Sequence, residues 1–244
     1  MGQDLRSYAR KNQDRVALPQ VKQYAIDMFM ALHQLRKHRI IHADIKPDNF
    51  LLTPDLSHIC LTDFGTSFHA EQLSSDVDYL VARYYRPPEI ILGCQTPLEQ
   101  RFGIDTWAVG CSLYELLTGK FLFEAASNHH LLALIMQTKG RFSVKMLKKC
   151  LHVHKYFDAD YNFLIPSENY NTHPTLLRKI QPVISAEREV HCLLRKHCLF
   201  QEDPKQLALF TDFLEGCLNL NPKNRLTPEE AFRHPFLNHM VKLD

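Results

Sequence analysis

Residues 40–52 read I-I-H-A-D-I-K-P-D-N-F-L-L and place a group of polar side chains between two short apolar runs. The apolar runs predict two buried strand fragments that hold the polar loop between them in a fixed position. Within that loop, Asp44 can accept the proton of an attacking hydroxyl, and Lys46 can neutralise charge on a moving phosphoryl group. The amide oxygen of Asn49 is a hard ligand that suits Mg²⁺. The loop therefore offers the chemical groups that phosphoryl transfer requires.

A second oxygen ligand is predicted farther along the chain. Asp63 comes after the apolar run 59–61 and is followed by Phe64 and Gly65, and the glycine permits a tight turn at this point. An Asp-Phe-Gly triplet alone is a common turn and says little about function. Its combination with H-A-D-I-K-P-D-N indicates a metal-assisted reaction.

Together the two segments resemble the catalytic loop H-R-D-L-x-x-x-N and the D-F-G triplet of protein kinases, in the same order along the chain. The resemblance continues in residues 84–89 (Y-Y-R-P-P-E), which are similar to the kinase segment that ends in A-P-E. Residues 105–110 (D-T-W-A-V-G) resemble the start of the central helix of the kinase large lobe, and residues 221–225 (N-P-K-N-R) resemble the turn before its last helices. This resemblance implies ATP and Mg²⁺ as cofactors and protein hydroxyls as acceptors.

The resemblance also implies a catalytic role for each of the four polar residues. Asp44 is expected to be the catalytic base, and Lys46 is expected to support the transferred phosphoryl group. Asn49 and Asp63 are expected to be the magnesium ligands.

Four further residues receive structural roles from the same resemblance. His42 belongs to the framework of the catalytic loop, and Asp105 is expected to hydrogen-bond the backbone of that loop. Glu89 and Arg225 are expected to form a buried ion pair that holds the activation segment to the lobe, and breaking such a pair costs roughly 3 to 5 kcal/mol.

Residues 63–89 correspond to a kinase activation segment. Within it, residues 79–86 (Y-L-V-A-R-Y-Y-R) resemble the Y-x-x-T-R-x-Y-R stretch of kinases of the CMGC group. In that group a phosphate on the first tyrosine pairs with the two arginines, which implies that Tyr79 is a switch and that Arg83 and Arg86 are its clamp. A tyrosine packed against the arginine stems is the alternative explanation.

Two alanines depart from the kinase pattern. Ala43 replaces the arginine that in many kinases contacts the activation-segment phosphate, so we expect no regulation through that contact. Ala82 stands where CMGC kinases usually have threonine or serine, whose hydroxyl bridges the catalytic aspartate and lysine. Loss of such a positioning group reduces the rate on the order of a hundredfold.

Residues from about 140 to 203 resemble the insert of CMGC kinases. The start of this insert and the sequence H-A-D-I-K-P-D-N are most similar to the pre-mRNA-processing kinases, which are related to the dual-specificity tyrosine-regulated kinases. This similarity implies splicing factors as protein substrates and a nuclear location. Lys145, Lys148 and Lys149 could bind a partner, but a solvated helix face is the favoured explanation for them.

The elements that position these residues are mainly helical. Pro19 opens a helix that carries a single apolar stripe and leads the chain into the catalytic loop. Residues 105–117 are apolar on more than one face and predict a buried central helix, which Gly119 ends. Residues 128–139 predict a further helix.

The predicted fold is therefore mainly α, a protein-kinase-like C-terminal lobe over residues 1–244 with short β-hairpins around the catalytic loop. A kinase small lobe brings a glycine-rich loop and a strand lysine to the phosphates, and neither fits upstream of Leu5. We therefore expect that the N-terminal lobe is absent from this chain and that upstream sequence supplies it.

Composition indicates an ordinary globular protein, with 244 residues, 45% of them hydrophobic and 23% charged. The net charge of +2 gives no electrostatic reason to expect nucleic acid or an anionic membrane as a partner. No apolar run approaches the roughly 18 residues that span a bilayer, and the N-terminus does not resemble a signal peptide, so we expect an intracellular protein.

Seven cysteines are present, an odd number without any C-x-x-C spacing, and we expect reduced thiols and no disulfide framework. The adjacent pairs His191-Cys192 and His197-Cys198 do not match the usual spacings of zinc ligands, and positions on a helix face explain them better.

These observations predict a serine/threonine kinase of the CMGC group that acts on proteins. The alternative is a non-catalytic interaction protein, either a lobe-only fragment or a pseudokinase, which Ala82 and the missing small lobe favour. Retention of Asp44, Lys46, Asn49 and Asp63 together favours the enzyme. In either case we expect the 244 residues alone to show no phosphoryl transfer.

Overall fold

The computed structural model describes residues 2–72, 81–166, 177–180, 188–198 and 202–238. The backbone in these ranges is mainly α-helical, in agreement with the predicted class. Its α-helices are α1 Leu5–Lys11, α2 Leu18–Lys37, α3 Pro88–Leu92, α4 Leu98–Arg101, α5 Gly103–Thr118, α6 Asn128–Lys139, α7 Val144–Leu147, α8 Val190–His197, α9 Pro204–Cys217 and α10 Pro228–Arg233. Across the described part of the chain, no helix combines the length and the apolar character that a bilayer crossing requires.

Short strands make three two-stranded antiparallel sheets within the same ranges. The strands are β1 Ile40–Ile41, β2 Phe50–Leu52, β3 Ile59–Leu61, β4 Phe68–His69, β5 Phe163–Pro166 and β6 Leu177–Ile180. The pairs are β1 with β4, β2 with β3, and β5 with β6. The apolar runs on both sides of the polar loop are thus strands, as predicted, but each pairs with a later segment of the chain and not with the other.

Helix α2 leads directly into the polar loop. It begins at Leu18 with a proline in its first turn, where the missing N–H group is not needed. Its predicted apolar stripe is buried, and the stripe consists of Val21, Tyr24, Ala25, Met28, Leu32 and Leu35. Basic residues Arg36 and Lys37 lie in the last turn, where cations interact favourably with the helix dipole.

Helix α5 is the centre of the hydrophobic core. All of its residues are buried, and it packs against α2, α8 and α9. Gly110 permits the close approach of α9, because a Cβ atom at this position would lie 2.9 Å from the Cβ atom of Cys217. Gly119 ends the helix with φ of +70°, a left-handed conformation that glycine adopts without strain. The predicted buried central helix is confirmed.

Helices α6 and α10 begin with side-chain caps. Helix α6 has the predicted bounds, and the Ser127 side chain accepts a hydrogen bond from the N–H group of His130. Helix α10 begins with a capping box, in which the side chains of Thr227 and Glu230 each accept a hydrogen bond from the backbone N–H group of the other residue.

The expectation of reduced thiols is wrong for one pair of cysteines. Cys94 and Cys150 form a disulfide that closes a sequence separation of 56 residues. The other five cysteines are free. The spacing rule failed here because it considers cysteines that are close in sequence, whereas α3 and the start of the insert meet only through folding.

Candidate active site

The catalytic loop is fixed to α5 by Asp105. Its two carboxylate oxygens accept hydrogen bonds from the backbone N–H groups of His42, at 2.8 Å, and Ala43, at 3.0 Å. Ala43 has φ of +63°, a left-handed conformation that is rare for a residue other than glycine. Burial raises the pKa of Asp105, and the two N–H groups oppose this effect because they favour the charged form. The fixed helix therefore holds an otherwise unfavourable bend in the loop.

Asp44, Lys46 and Asn49 form one hydrogen-bonded cluster. The Nζ atom of Lys46 lies 2.7 Å from Oδ2 of Asp44. The Nδ2 atom of Asn49 donates to the same Oδ2 at 2.9 Å and to the backbone carbonyl of Asp44 at 2.8 Å. Because the amide nitrogen faces Asp44, the amide oxygen of Asn49 is directed to the other side, where it can serve as a ligand.

The β2–β3 hairpin brings Asp63 to the same end of the lobe as Asn49. Phe50 is paired with Leu61, and just beyond this pair Thr62 donates two hydrogen bonds to the carbonyl of Asn49, from N at 2.9 Å and from Oγ1 at 3.0 Å. Asp63 itself has φ of +61°. The hairpin therefore places Asp63 beside Asn49.

His42 connects the two polar segments. The N–H group of Asp44 donates to Nδ1 of His42 at 3.3 Å, so the proton of the neutral ring belongs on Nε2, which lies 3.0 Å from the carbonyl of Thr62. The buried imidazole ring also packs edge-on against Phe64, with ring centroids 5.1 Å apart. His42 thus acts as a spacer that sets the separation between the catalytic loop and the segment that carries Asp63.

The donor set suits magnesium bound together with a phosphate ligand. Asn49 offers an amide oxygen and Asp63 a carboxylate, which are the oxygen ligands that Mg²⁺ prefers. Within the described residues, no group of three or more histidine, cysteine, aspartate or glutamate side chains is placed to hold a metal ion. Mg²⁺ is usually bound by one or two protein ligands, with substrate phosphates and water as the others.

The activation segment is described only at its two ends. Tyr79, the predicted switch, lies outside the described residues. Arg86 is buried, and its guanidinium group donates to the carbonyl of Val81 at 2.8 and 3.1 Å and to Oδ1 of Asn128 at 3.0 Å. Arg83 is exposed and donates to the backbone carbonyl of Ala126 at 2.8 Å. The two arginines predicted as a clamp therefore both bind the chain next to α6 in this structure.

The activation segment ends in a buried ion pair. Arg225 donates from Nη1 and Nη2 to the two carboxylate oxygens of Glu89, at 2.5 and 2.7 Å. The same guanidinium group donates to the carbonyls of Gly103, at 2.9 Å, and Asn219, at 2.8 Å, and lies over the ring of Trp107. Helix α3, which carries Glu89, is thereby held to α5 and to the turn before α10.

A second network, which runs from the surface at Asp48 to the buried Tyr85 and Glu115, escaped the sequence analysis. Arg6 of α1 donates to both carboxylate oxygens of Asp48 at 2.8 Å, to the hydroxyl of Tyr85 at 2.6 Å, and to Glu115 of α5. Tyr85 in turn donates to Glu115 at 2.5 Å. Burial raises the pKa of Glu115, and the hydrogen bonds from Tyr85 and Arg6 oppose this rise. Glu115 itself was the available signal, because a carboxylate in the interior of a buried helix requires partners.

Comparison with known proteins places the chain among kinases. The protein kinase domain family matches residues 1–237. The serine/threonine-protein kinase prp4 of Schizosaccharomyces pombe is 39% identical over 227 residues, which are 91% of this chain and 45% of that protein. The serine/threonine-protein kinase prpf4B of Dictyostelium discoideum is 37% identical over 224 residues, 91% of this chain and 27% of that protein. The dual specificity protein kinase YAK1 of Saccharomyces cerevisiae is 30% identical over 242 residues, 89% of this chain and 29% of that protein. The chain thus spans less than half the length of these relatives.

Proposed function

Because the chain belongs to the protein kinase family, we propose that it is the catalytic lobe of a serine/threonine kinase, which transfers the γ-phosphate of ATP to a protein hydroxyl. Its similarity to kinases named prp4, prpf4B and YAK1 confirms the predicted resemblance to this group of kinases. The observation that carries the proposal is the hydrogen-bonded cluster in which the side-chain nitrogens of Lys46 and Asn49 both lie within 3 Å of Oδ2 of Asp44, because it joins an acid, a cation and a residue that offers an oxygen ligand.

Asp44 is the residue that we assign to the incoming hydroxyl. Lys46 and Asn49 both contact Oδ2 of Asp44, so Oδ1 is the oxygen that we assign to accept the proton of the hydroxyl. Lys46 is the cation that faces negative charge on the transferred group. This division of roles requires no movement of the loop, because Asp105 already fixes its backbone.

Asn49 and Asp63 are the residues that would hold Mg²⁺. The ion, when bound, neutralises charge on the phosphates of ATP. His42 fixes the spacing of these two ligands through its contacts on both sides, with the N–H group of Asp44 and the carbonyl of Thr62.

We further propose that the substrates are splicing factors and that the protein acts in the nucleus. The support for this step is the similarity to prp4-type kinases over 91% of the chain. The resemblance of the insert and of the H-A-D-I-K-P-D-N sequence to pre-mRNA-processing kinases points in the same direction.

The test of the kinase proposal is phosphoryl transfer by the full-length protein that contains this chain. We expect Asp44→Asn to lower kcat by about 10²- to 10⁴-fold on a serine or threonine peptide, since general base catalysis contributes about that much. Asp55→Asn is the matched control, because Asp55 is an exposed carboxylate that bonds only within the nearby turn formed by residues 53–58. Equal rates for the two variants would contradict the assignment of Asp44.

A second candidate function is a non-catalytic interaction module, and Ala82 favours it. The residue begins a short 3₁₀ helix, Arg83–Tyr85, without the side-chain hydroxyl that links the catalytic aspartate and lysine in related kinases. A full-length protein that binds Mg-ATP but transfers no phosphate to any serine, threonine or tyrosine peptide would support this candidate and not the kinase.

A further inference from the structure

A short two-stranded contact joins α3 to the beginning of the insert. Two backbone hydrogen bonds of 3.0 Å, one on each side of Cys94, join residues 93–95 to residues 149–151. Cys94 and Cys150 lie opposite each other in this antiparallel contact and are bonded through their sulfur atoms. We call residues 144–166 the insert segment. The disulfide is a covalent link between this segment and the helix that ends the activation segment.

We propose that Cys94 and Cys150 form a reversible thiol–disulfide exchange site, that glutathione is its redox partner, and that the state of the bond determines how firmly the insert segment is held to α3. The two sulfur atoms differ in accessibility, because Cys150 is only 7% exposed whereas Cys94 is partly exposed. Thiol–disulfide exchange requires a thiolate to reach one sulfur of the bond. Cys94 is therefore the sulfur that glutathione attacks.

Reduction of the Cys94–Cys150 disulfide by glutathione takes two steps. A glutathione thiolate bonds to Sγ of Cys94, and the Cys94–Cys150 bond breaks with its electron pair on Cys150, which becomes a thiolate and takes up a proton. A second glutathione thiolate attacks the glutathione sulfur of this mixed disulfide, which releases glutathione disulfide and the Cys94 thiolate, and that thiolate takes up a proton. The protein gains two electrons and two protons, and two glutathione molecules are oxidised. The reverse reaction closes the bond with glutathione disulfide as the oxidant.

Three of the free cysteines are poor nucleophiles. Cys111 and Cys217 are buried in the core, and burial raises the pKa of both thiols. Burial also raises the pKa of Cys198 to about 11. A thiol with a raised pKa is a poor nucleophile near neutral pH, since the thiolate is the reactive form. Of the five free cysteines, Cys60 is the exposed one, so it provides a matched control.

The bond lies where it can influence the activation segment. The insert segment packs closely against the end of α3. The space is so small that a Cβ atom added at Gly93 would lie 2.9 Å from the ring of His152. The N–H group of Cys94 donates at 2.9 Å to the carbonyl of Glu89, the residue whose side chain binds Arg225. When the disulfide opens, the insert segment keeps non-covalent contacts alone, among them these and the buried side chains of Tyr156 and Phe163. We therefore expect the insert segment to detach more often in the reduced protein.

The test is a redox titration of the intact protein in buffers with graded ratios of reduced to oxidised glutathione. Free thiols are trapped with N-ethylmaleimide and located by peptide mass spectrometry, and unfolding and limited proteolysis are measured at each ratio. We expect one disulfide, between Cys94 and Cys150, that forms and disappears reversibly. The oxidised form should melt roughly 5 to 15 °C higher, because the bond closes a loop of 56 residues. Proteolysis within the insert segment should be about tenfold slower in the oxidised form, since cleavage follows the population of the open state.

Two variants separate the site from other effects. Cys150→Ser should remove the redox dependence of melting and proteolysis, whereas Cys60→Ser should leave both unchanged. If Cys150→Ser does not fold, Cys94→Ser tests the same bond at its accessible end. Alkylation of both cysteines in the most oxidising buffer would overturn the proposal. So would a disulfide that resists the most reducing buffer, or a redox dependence that persists in Cys150→Ser.

Discussion

Replacing Glu89 with glutamine removes the negative charge that faces Arg225 in the interior of the lobe. The two side chains are only 3% and 1% exposed, so water cannot compensate for the lost charge. A buried cation without its partner destabilises a protein by roughly 3 to 5 kcal/mol. Glutamine keeps one acceptor oxygen, and Arg225 keeps its bonds to the carbonyls of Gly103 and Asn219. We therefore expect Glu89→Gln to lower the free energy of unfolding by about 3 kcal/mol, the lower end of that range.

The assay is urea unfolding of the wild type and the variant, together with thermal melting. A loss of about 3 kcal/mol corresponds to a decrease in Tm of roughly 6 to 12 °C for a chain of this size. Hydrogen exchange should also become faster in α3, because Glu89 anchors this helix. Arg225→Met and the double variant complete a double-mutant cycle, in which the double variant should lose less stability than the sum of the single variants.

The matched control is Glu71→Gln, which breaks the ion pair between Arg39 and Glu71 on the surface. The side chains of that pair are 57% and 48% exposed, and exposed pairs contribute less than about 1 kcal/mol. If Glu89→Gln destabilises the protein no more than Glu71→Gln, the Glu89–Arg225 pair is not an anchor of the activation segment and the reasoning fails.

Three further predictions concern the catalytic loop, the activation segment and one surface histidine. Asp105→Asn should lower kcat and stability together, by about 1 to 3 kcal/mol in unfolding, because one of two buried backbone N–H groups loses its acceptor; unchanged hydrogen exchange in the loop would contradict this. Ala82→Thr should raise kcat by up to about a hundredfold through the restored hydroxyl, whereas Ala82→Val, of similar shape, should not. The hydrogen bond that His58 donates to the carboxylate of Asp27 raises the pKa of His58 above 6.5, so the charged form should persist to higher pH in an NMR titration. Asp27→Asn should return the pKa toward 6.5, and an unchanged titration curve in that variant would refute the contact.

The stability that the contact between His58 and Asp27 gives to the fold changes with pH in a definite direction. Its pKa is higher in the folded protein than in the unfolded chain, so the contact with Asp27 stabilises the fold at pH values below 6.5. This stabilisation is lost as the pH rises through the raised pKa. Because His58 is an exposed residue, the effect on overall stability should be small, and the NMR titration is the sensitive measurement.

The sequence alone determined the local part of the candidate site. Asp44, Lys46 and Asn49 lie within six positions, and such short spacing already fixes which side chains share one loop. The helical elements were also predictable where the pattern of apolar residues was long. The stripe of α2, the full burial of α5 and the capping box of α10 follow from periodicity and capping chemistry, which act between neighbours in the chain.

The tertiary structure decided the contacts that join distant segments. Arg6 meets Asp48 across 42 positions and Glu115 across 109, and Cys94 meets Cys150 across 56. No local pattern identifies such partners, because their approach depends on how the helices pack and not on the properties of either residue. The sequence therefore specified which groups are available for chemistry, whereas packing around α5 determined which buried charges are paired and which cysteines are joined.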